Sequence, residues 1–145
     1  MEDVEIMRSL IIYTRARALE NKTFTGAFIV RSGEVIWRDV TSVEPDQNPL
    51  AHAELKAVQG ALTQYGPKLT GCYLYTTQRP CPMCASAIVW SGVEKVVYGW
   101  AASDYQWGTS ERAQQFFANL SVEYVGPVLE DECREIDEYL IQNGI

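Results

Sequence analysis

Residues 72–99 read CYLYTTQRPCPMCASAIVWSGVEKVVYG, and this stretch decides the architecture. Cys72-Tyr73-Leu74-Tyr75-Thr76 is aromatic and apolar, the composition of a strand. Pro82 carries the fixed φ of a first helical position, and Ala85, Ile88 and Val89 follow at helical spacing. Gly92 suits the end of that helix, because the left-handed conformation needed there is easy for glycine. Residues 93–99 then return as a second strand. Two strands joined through a helix make a parallel crossover, so an α/β domain is expected.

Outward from this unit the pattern continues. Val4, Met7, Ile11, Thr14 and Ala18 fall at spacings of three and four, which predicts an amphipathic first helix. Gly26-Ala27-Phe28-Ile29-Val30 and Glu34-Val35-Ile36-Trp37 flank a Ser32-Gly33 turn, the pattern of a β-hairpin. Residues 41–47 are polar and rich in turn formers. Asn48-Pro49 predicts a helix start, with Asn as cap and Pro in the first turn, running through Ala51, Leu55, Val58 and Leu62 toward Gly66-Pro67. Beyond a loop holding Trp100, Tyr105 and Trp107, a helix near 110–118, a strand at 122–125 and a final helix at 129–142 complete the chain. The order αββαβαβαβα predicts a three-layer αβα domain over residues 1–145. Its mixed sheet has an antiparallel hairpin followed by parallel strands, with helices on both faces.

Of the 145 residues 47% are hydrophobic, enough for a substantial core. Nineteen Asp and Glu against twelve Lys and Arg leave a net charge of −7, which does not attract a polyphosphate. A small-molecule substrate is therefore expected, with no nucleic acid held unaided unless a local basic patch exists. The acidic Met1-Glu2-Asp3-Val4-Glu5 lacks the pattern of a secretory signal, and no apolar run reaches membrane-spanning length. A cytoplasmic protein without membrane association is the expectation, and its four cysteines are then thiols or metal ligands.

The chemistry concentrates at two places. The single histidine lies in His52-Ala53-Glu54, and Cys81-Pro82-Met83-Cys84 follows. Zinc takes imidazole nitrogen and thiolate sulfur in a tetrahedron, and a catalytic site leaves one position for water. His52, Cys81 and Cys84 supply three ligands for one Zn2+ per chain. The first turn of a helix favours anions, which helps keep Cys81 and Cys84 as thiolates. Glu54, two residues beyond His52, points about 200° around a helix from it. It is expected to approach the water and to shuttle its proton to a substrate ring nitrogen and then to the departing amine. A structural zinc site would want a fourth protein ligand; Cys72 lies in a strand and Cys133 far along a helix, both read as small core residues.

H-x-E paired with P-C-x-x-C is the signature of zinc deaminases, and here the chain resembles the cytidine and deoxycytidylate deaminase superfamily. It is most similar to the branch of tRNA adenosine deaminases, guanine deaminases and fungal-type cytosine deaminases. The likeness runs through Gly26-Ala27, Asn48-Pro49-Leu50-Ala51-His52-Ala53-Glu54, Leu74-Tyr75-Thr76-Thr77, Pro80-Cys81-Pro82-Met83-Cys84, Val96-Val97-Tyr98-Gly99 and the tail from Val128 to Cys133. It implies a five-stranded sheet, bound zinc, hydrolytic release of ammonia and a homodimer. Three places depart from it. Thr41 stands near where the tRNA enzymes and guanine deaminases carry a base-holding Asn. Arg79 replaces a Glu before Pro-Cys, and the loop from Trp100 to Gly108 has its own sequence.

The expected substrate is a free nucleobase or nucleoside, guanine, cytosine or a related aminated heterocycle. The alternatives are tRNA adenosine-to-inosine deamination and a non-catalytic, zinc-stabilised protein of this fold. Ala53, Phe24, Thr41, Trp100, Tyr105 and Trp107 are the candidate substrate contacts. Trp100, Tyr105 and Trp107 either form a lid that stacks on a flat ring or pack against the domain or a second subunit. Arg79 reads either as a ligand for a carbonyl or phosphate or as a surface ion pair.

Overall fold

In the computed structural model, residues 2–101 and 110–145 are described. Helix α1 (Glu2–Asn21) leads into the hairpin of β1 (Gly26–Arg31) and β2 (Glu34–Val40). Its turn residues, Ser32 and Gly33, both have positive φ, which matches the right-handed twist of paired strands. A short α2 (Val43–Asp46) and α3 (Ala53–Tyr65) follow, then β3 (Cys72–Gln78), α4 (Pro82–Ser91), β4 (Lys95–Trp100), α5 (Ser110–Asn119), β5 (Glu123–Val125) and α6 (Glu130–Gln142). The strands form one five-stranded sheet in the order β2-β1-β3-β4-β5. β1 runs antiparallel to both neighbours, while β3, β4 and β5 are parallel. This is the mixed α/β sheet expected from the sequence.

Strand alternation divides the core into two layers. Ala27, Ile29, Leu74 and Val96 point to one face and pack with Ala57, Val58 and Ala61 of α3, Ala85 and Ile88 of α4, and Phe117 of α5. Phe28, Val30, Tyr75 and Val97 point to the other, where Met7 and Leu10 of α1 and Cys133 of α6 cover them. Burying each of the larger aliphatic side chains contributes about 1.5–3 kcal/mol. Cys72 and Cys133 are both buried thiols on opposite faces of the sheet. No helix among the described residues is long and apolar enough to cross a membrane.

Gly60 marks the closest approach of α3 to the hairpin. A Cβ there would lie 2.2 Å from Cε2 and Cζ2 of Trp37, whose indole N–H donates to Asp39 Oδ2 at 2.9 Å. In an open helix Gly→Ala stabilises by about 1 kcal/mol. Here the added methyl meets a rigid ring, so Gly60→Ala should destabilise by about 1–2 kcal/mol in denaturant unfolding, overpacking outweighing propensity. A gain in stability would show that the ring moves aside freely.

The predicted helix start at Asn48-Pro49 is corrected: α3 begins at Ala53. Asn48 Oδ1 accepts the Leu50 N–H at 3.0 Å, and the His52 N–H bonds the Leu50 carbonyl at 2.8 Å. Asn48 therefore caps a turn of its own, a competition with helix that Asn side chains often win. His52 becomes the residue before the helix, with extended φ −79° and ψ 144°.

Candidate active site

The N-termini of α3 and α4 carry the reactive side chains. His52 precedes the first helical residue of α3, and Cys81 occupies the same position before α4. The Lys56 N–H closes the first turn of α3 on the His52 carbonyl at 2.9 Å, and the Ala85 N–H closes that of α4 on the Cys81 carbonyl at 2.8 Å. Because both helices cover the same face of the sheet, these two ends meet. His52 Nδ1 lies 3.6 Å from Cys81 Sγ and 3.5 Å from Cys84 Sγ. The three donor atoms all fall within 4.8 Å of one another.

These separations fit zinc. Zn–N near 2.0–2.1 Å and Zn–S near 2.3 Å at tetrahedral angles place N and S about 3.5–3.6 Å apart. The electrostatics agree. The neighbouring Cys84 thiol, the His52 ring and the Cys84 backbone N–H together hold the Cys81 thiol down to about 4 against the opposing effect of burial. Beside that thiolate and buried, the Cys84 thiol is pushed far up. Unaided, the cluster thus holds one anionic sulfur, and a second thiolate calls for a cation between them. His52, Cys81 and Cys84 are a candidate zinc site, and Cys72 and Cys133 take no part in it.

Glu54 is 3% exposed, and its Oε1 has no hydrogen-bond partner among the described residues. Burial raises its carboxyl to about 7, with Cys81 adding to the effect and His52 and Thr76 opposing it. It belongs to the first turn of α3 while His52 lies outside the helix, so the expected 200° rotation does not relate them. The carboxylate instead lines a pocket of about 210 Å³ together with His52 and Cys81.

Thr41 and Phe24 also line this pocket. Thr41 Oγ1 accepts the Ala53 N–H at 2.9 Å and so satisfies an orphan donor at the start of α3. Phe24 packs on Trp100 with ring centroids 5.4 Å apart, and Trp100 stands behind it at the end of β4. Ala53, the first residue of α3, is fully buried. Tyr105 and Trp107 lie outside the described residues. Arg79 is 4% exposed and lines the pocket, a buried position away from the solvated surface. Sequence reasoning missed Thr25 and Gln78, which face the pocket joined by a 2.7 Å hydrogen bond from Thr25 Oγ1 to Gln78 Oε1. Only the strand alternation through Thr76 and Gln78 hinted at the second of these.

Comparison with known proteins shows the family of the chain. The tRNA-specific adenosine deaminase of Bacillus subtilis is 42% identical over 113 residues, covering 74% of this chain and 69% of that protein. A probable cytosine deaminase of Schizosaccharomyces pombe is 28% identical over 143 residues, 91% of this chain and 88% of its own. The solved guanine deaminase of Nitrosomonas europaea shares the fold, with a TM-score of 0.82 at 22% identity over 93% of this chain and 82% of that one. Residues 1–100, which hold all three zinc ligands and Glu54, match the cytidine and deoxycytidylate deaminase zinc-binding region, and the chain belongs to that family of deaminases.

Proposed function

We propose that the protein releases ammonia hydrolytically from a small aminated heterocycle, a free nucleobase or nucleoside of the guanine or cytosine type. The observation that carries this is the buried carboxylate of Glu54, facing a small pocket beside the zinc donors with one oxygen unpartnered. A structural zinc site has no use for an unpaired carboxylate at that place, which speaks against a non-catalytic role.

When bound, zinc lowers the pKa of a water toward neutrality and supplies the nucleophile. His52, Cys81 and Cys84 would hold the ion, and Glu54 accepts a proton as water attacks the amino-bearing carbon. It gives that first proton to the adjacent ring nitrogen, then takes the remaining proton of the added hydroxyl and gives it to the amine, which leaves as ammonia as the carbonyl forms. A carboxyl raised by burial is suited to both taking and giving a proton near neutral pH. Thr41 and Phe24 bound the space in which the flat ring lies, and Gln78 and Arg79 belong to the same lining. The pocket is smaller than the roughly 300–1,000 Å³ usual for drug-sized ligands, consistent with a single ring system.

Deamination of adenosine in tRNA is the second reading, favoured by the 42% identity to the B. subtilis enzyme. The net charge of −7 works against holding RNA. Ammonia release from free bases, nucleosides, nucleotides and tRNA decides between them. Turnover of guanine, cytosine or a nucleoside supports the proposal, activity confined to tRNA transfers it to the second reading, and silence across the panel defeats both.

A further inference from the structure

Lys56 lies one turn beyond His52 on α3 and does not line the pocket. Its side chain reaches back to the end of β2, where its ammonium meets three oxygens, two as hydrogen-bond acceptors and the third as an ion-pair partner. These are Ser42 Oγ at 2.7 Å, the Val40 carbonyl at 2.9 Å and Asp39 Oδ1 at 3.3 Å. The lysine and aspartate side chains are 28% and 22% exposed, unlike the freely solvated pairs that contribute little.

Val40 and Ser42 are the two neighbours of Thr41, the residue that both lines the pocket and receives the Ala53 N–H. Their surroundings are tied down in turn. The Ser42 hydroxyl donates to Asp46 Oδ2 at 2.6 Å, the Ser42 N–H to the Ala51 carbonyl at 2.9 Å, and the Thr41 N–H to the Thr25 carbonyl at 3.0 Å. We infer that Lys56 is a positioning residue for the reaction: it clamps both sides of Thr41 and so fixes the pocket wall against the helix that carries His52 and Glu54. This role rests on the deaminase assignment proposed above. Two of the three zinc donors, Cys81 and Cys84, belong to the start of α4 and not to the clamped segment, so its loss should weaken base binding more than chemistry or metal binding.

Lys56→Met keeps most of the stem and removes the ammonium. With guanine and cytosine as the substrates tested, KM should rise about tenfold or more while kcat stays within about threefold, a wall displaced rather than a catalyst lost. Zinc should remain at one per chain, and Lys56→Arg should recover part of the loss in KM. Amide hydrogen exchange gives a readout that needs no turnover: residues 40–53 should exchange faster in Lys56→Met, the Ala53 N–H among them, with α4 unchanged. An unaltered KM, a fall in kcat together with zinc, or unchanged exchange at residues 40–53 would each overturn the role. Should Lys56→Met fail to fold, Ser42→Ala removes one of the two hydrogen-bond acceptors and must raise KM in the same direction by less. If the unaltered protein turns over nothing, the deaminase assignment fails, and the exchange measurement alone decides the clamp.

Discussion

Glu54→Gln is expected to lower kcat by about 10³-fold, inside the roughly 10²–10⁴ that a positioned acid–base group supplies, with zinc still bound. The substitution is nearly isosteric and removes the group that takes and returns the proton. Stability should move the other way. Glu54 is 3% exposed with one oxygen unpartnered, so its ionised form carries an uncompensated desolvation penalty. A neutral amide relieves that penalty, and Tm should hold or rise. Loss of activity with retained or increased Tm would mark a residue kept for chemistry at the expense of stability. Full activity in a zinc-replete Glu54→Gln preparation would remove the proton-shuttle role.

Cys84→Ser should have the larger effect, reducing bound zinc from one per chain to near none and ammonia release to background. Cys84 is fully buried at the start of α4, and a serine hydroxyl does not ionise there to replace the thiolate. The cation ties the ends of two helices, so its removal also costs stability by mass action. At a thousandfold excess over Kd the bound metal contributes about 4 kcal/mol. At this chain length that corresponds to about 10 °C in Tm, read by thermal unfolding with and without a chelator. A Cys84→Ser variant with one zinc per chain and normal turnover would overturn the ligand assignment.

Local signals made much of the fold legible. The Ser32-Gly33 turn, Pro82 at the head of α4 and Gly92 at its end each act over a few residues, and the structure has them where the sequence places them. The metal cluster was legible for the same reason, because its ligands are chemically distinctive and sit beside helix starts. Asn48-Pro49 misled because α3 receives its cap from Thr41, twelve residues before Ala53, while Asn48 spends its own oxygen on Leu50. That choice is tertiary and leaves no local mark. Lys56 was overlooked for a related reason: a lysine on a helix ordinarily reads as a solvated face, and only the packing of β2 against α3 brings three oxygens to it. Gln78 and Arg79 follow a readable strand, yet their burial beside the pocket depends on how α3 and α4 close over its end.

His52 belongs at once to the metal cluster and to the wall of the pocket. Occupancy of the two is therefore thermodynamically reciprocal: the factor by which zinc tightens the hold on a base is the factor by which that base tightens the hold on zinc. Any ligand that binds the zinc-loaded pocket more tightly than the empty one must raise the affinity of the chain for zinc, so zinc titration with and without that ligand reads the coupling from either side.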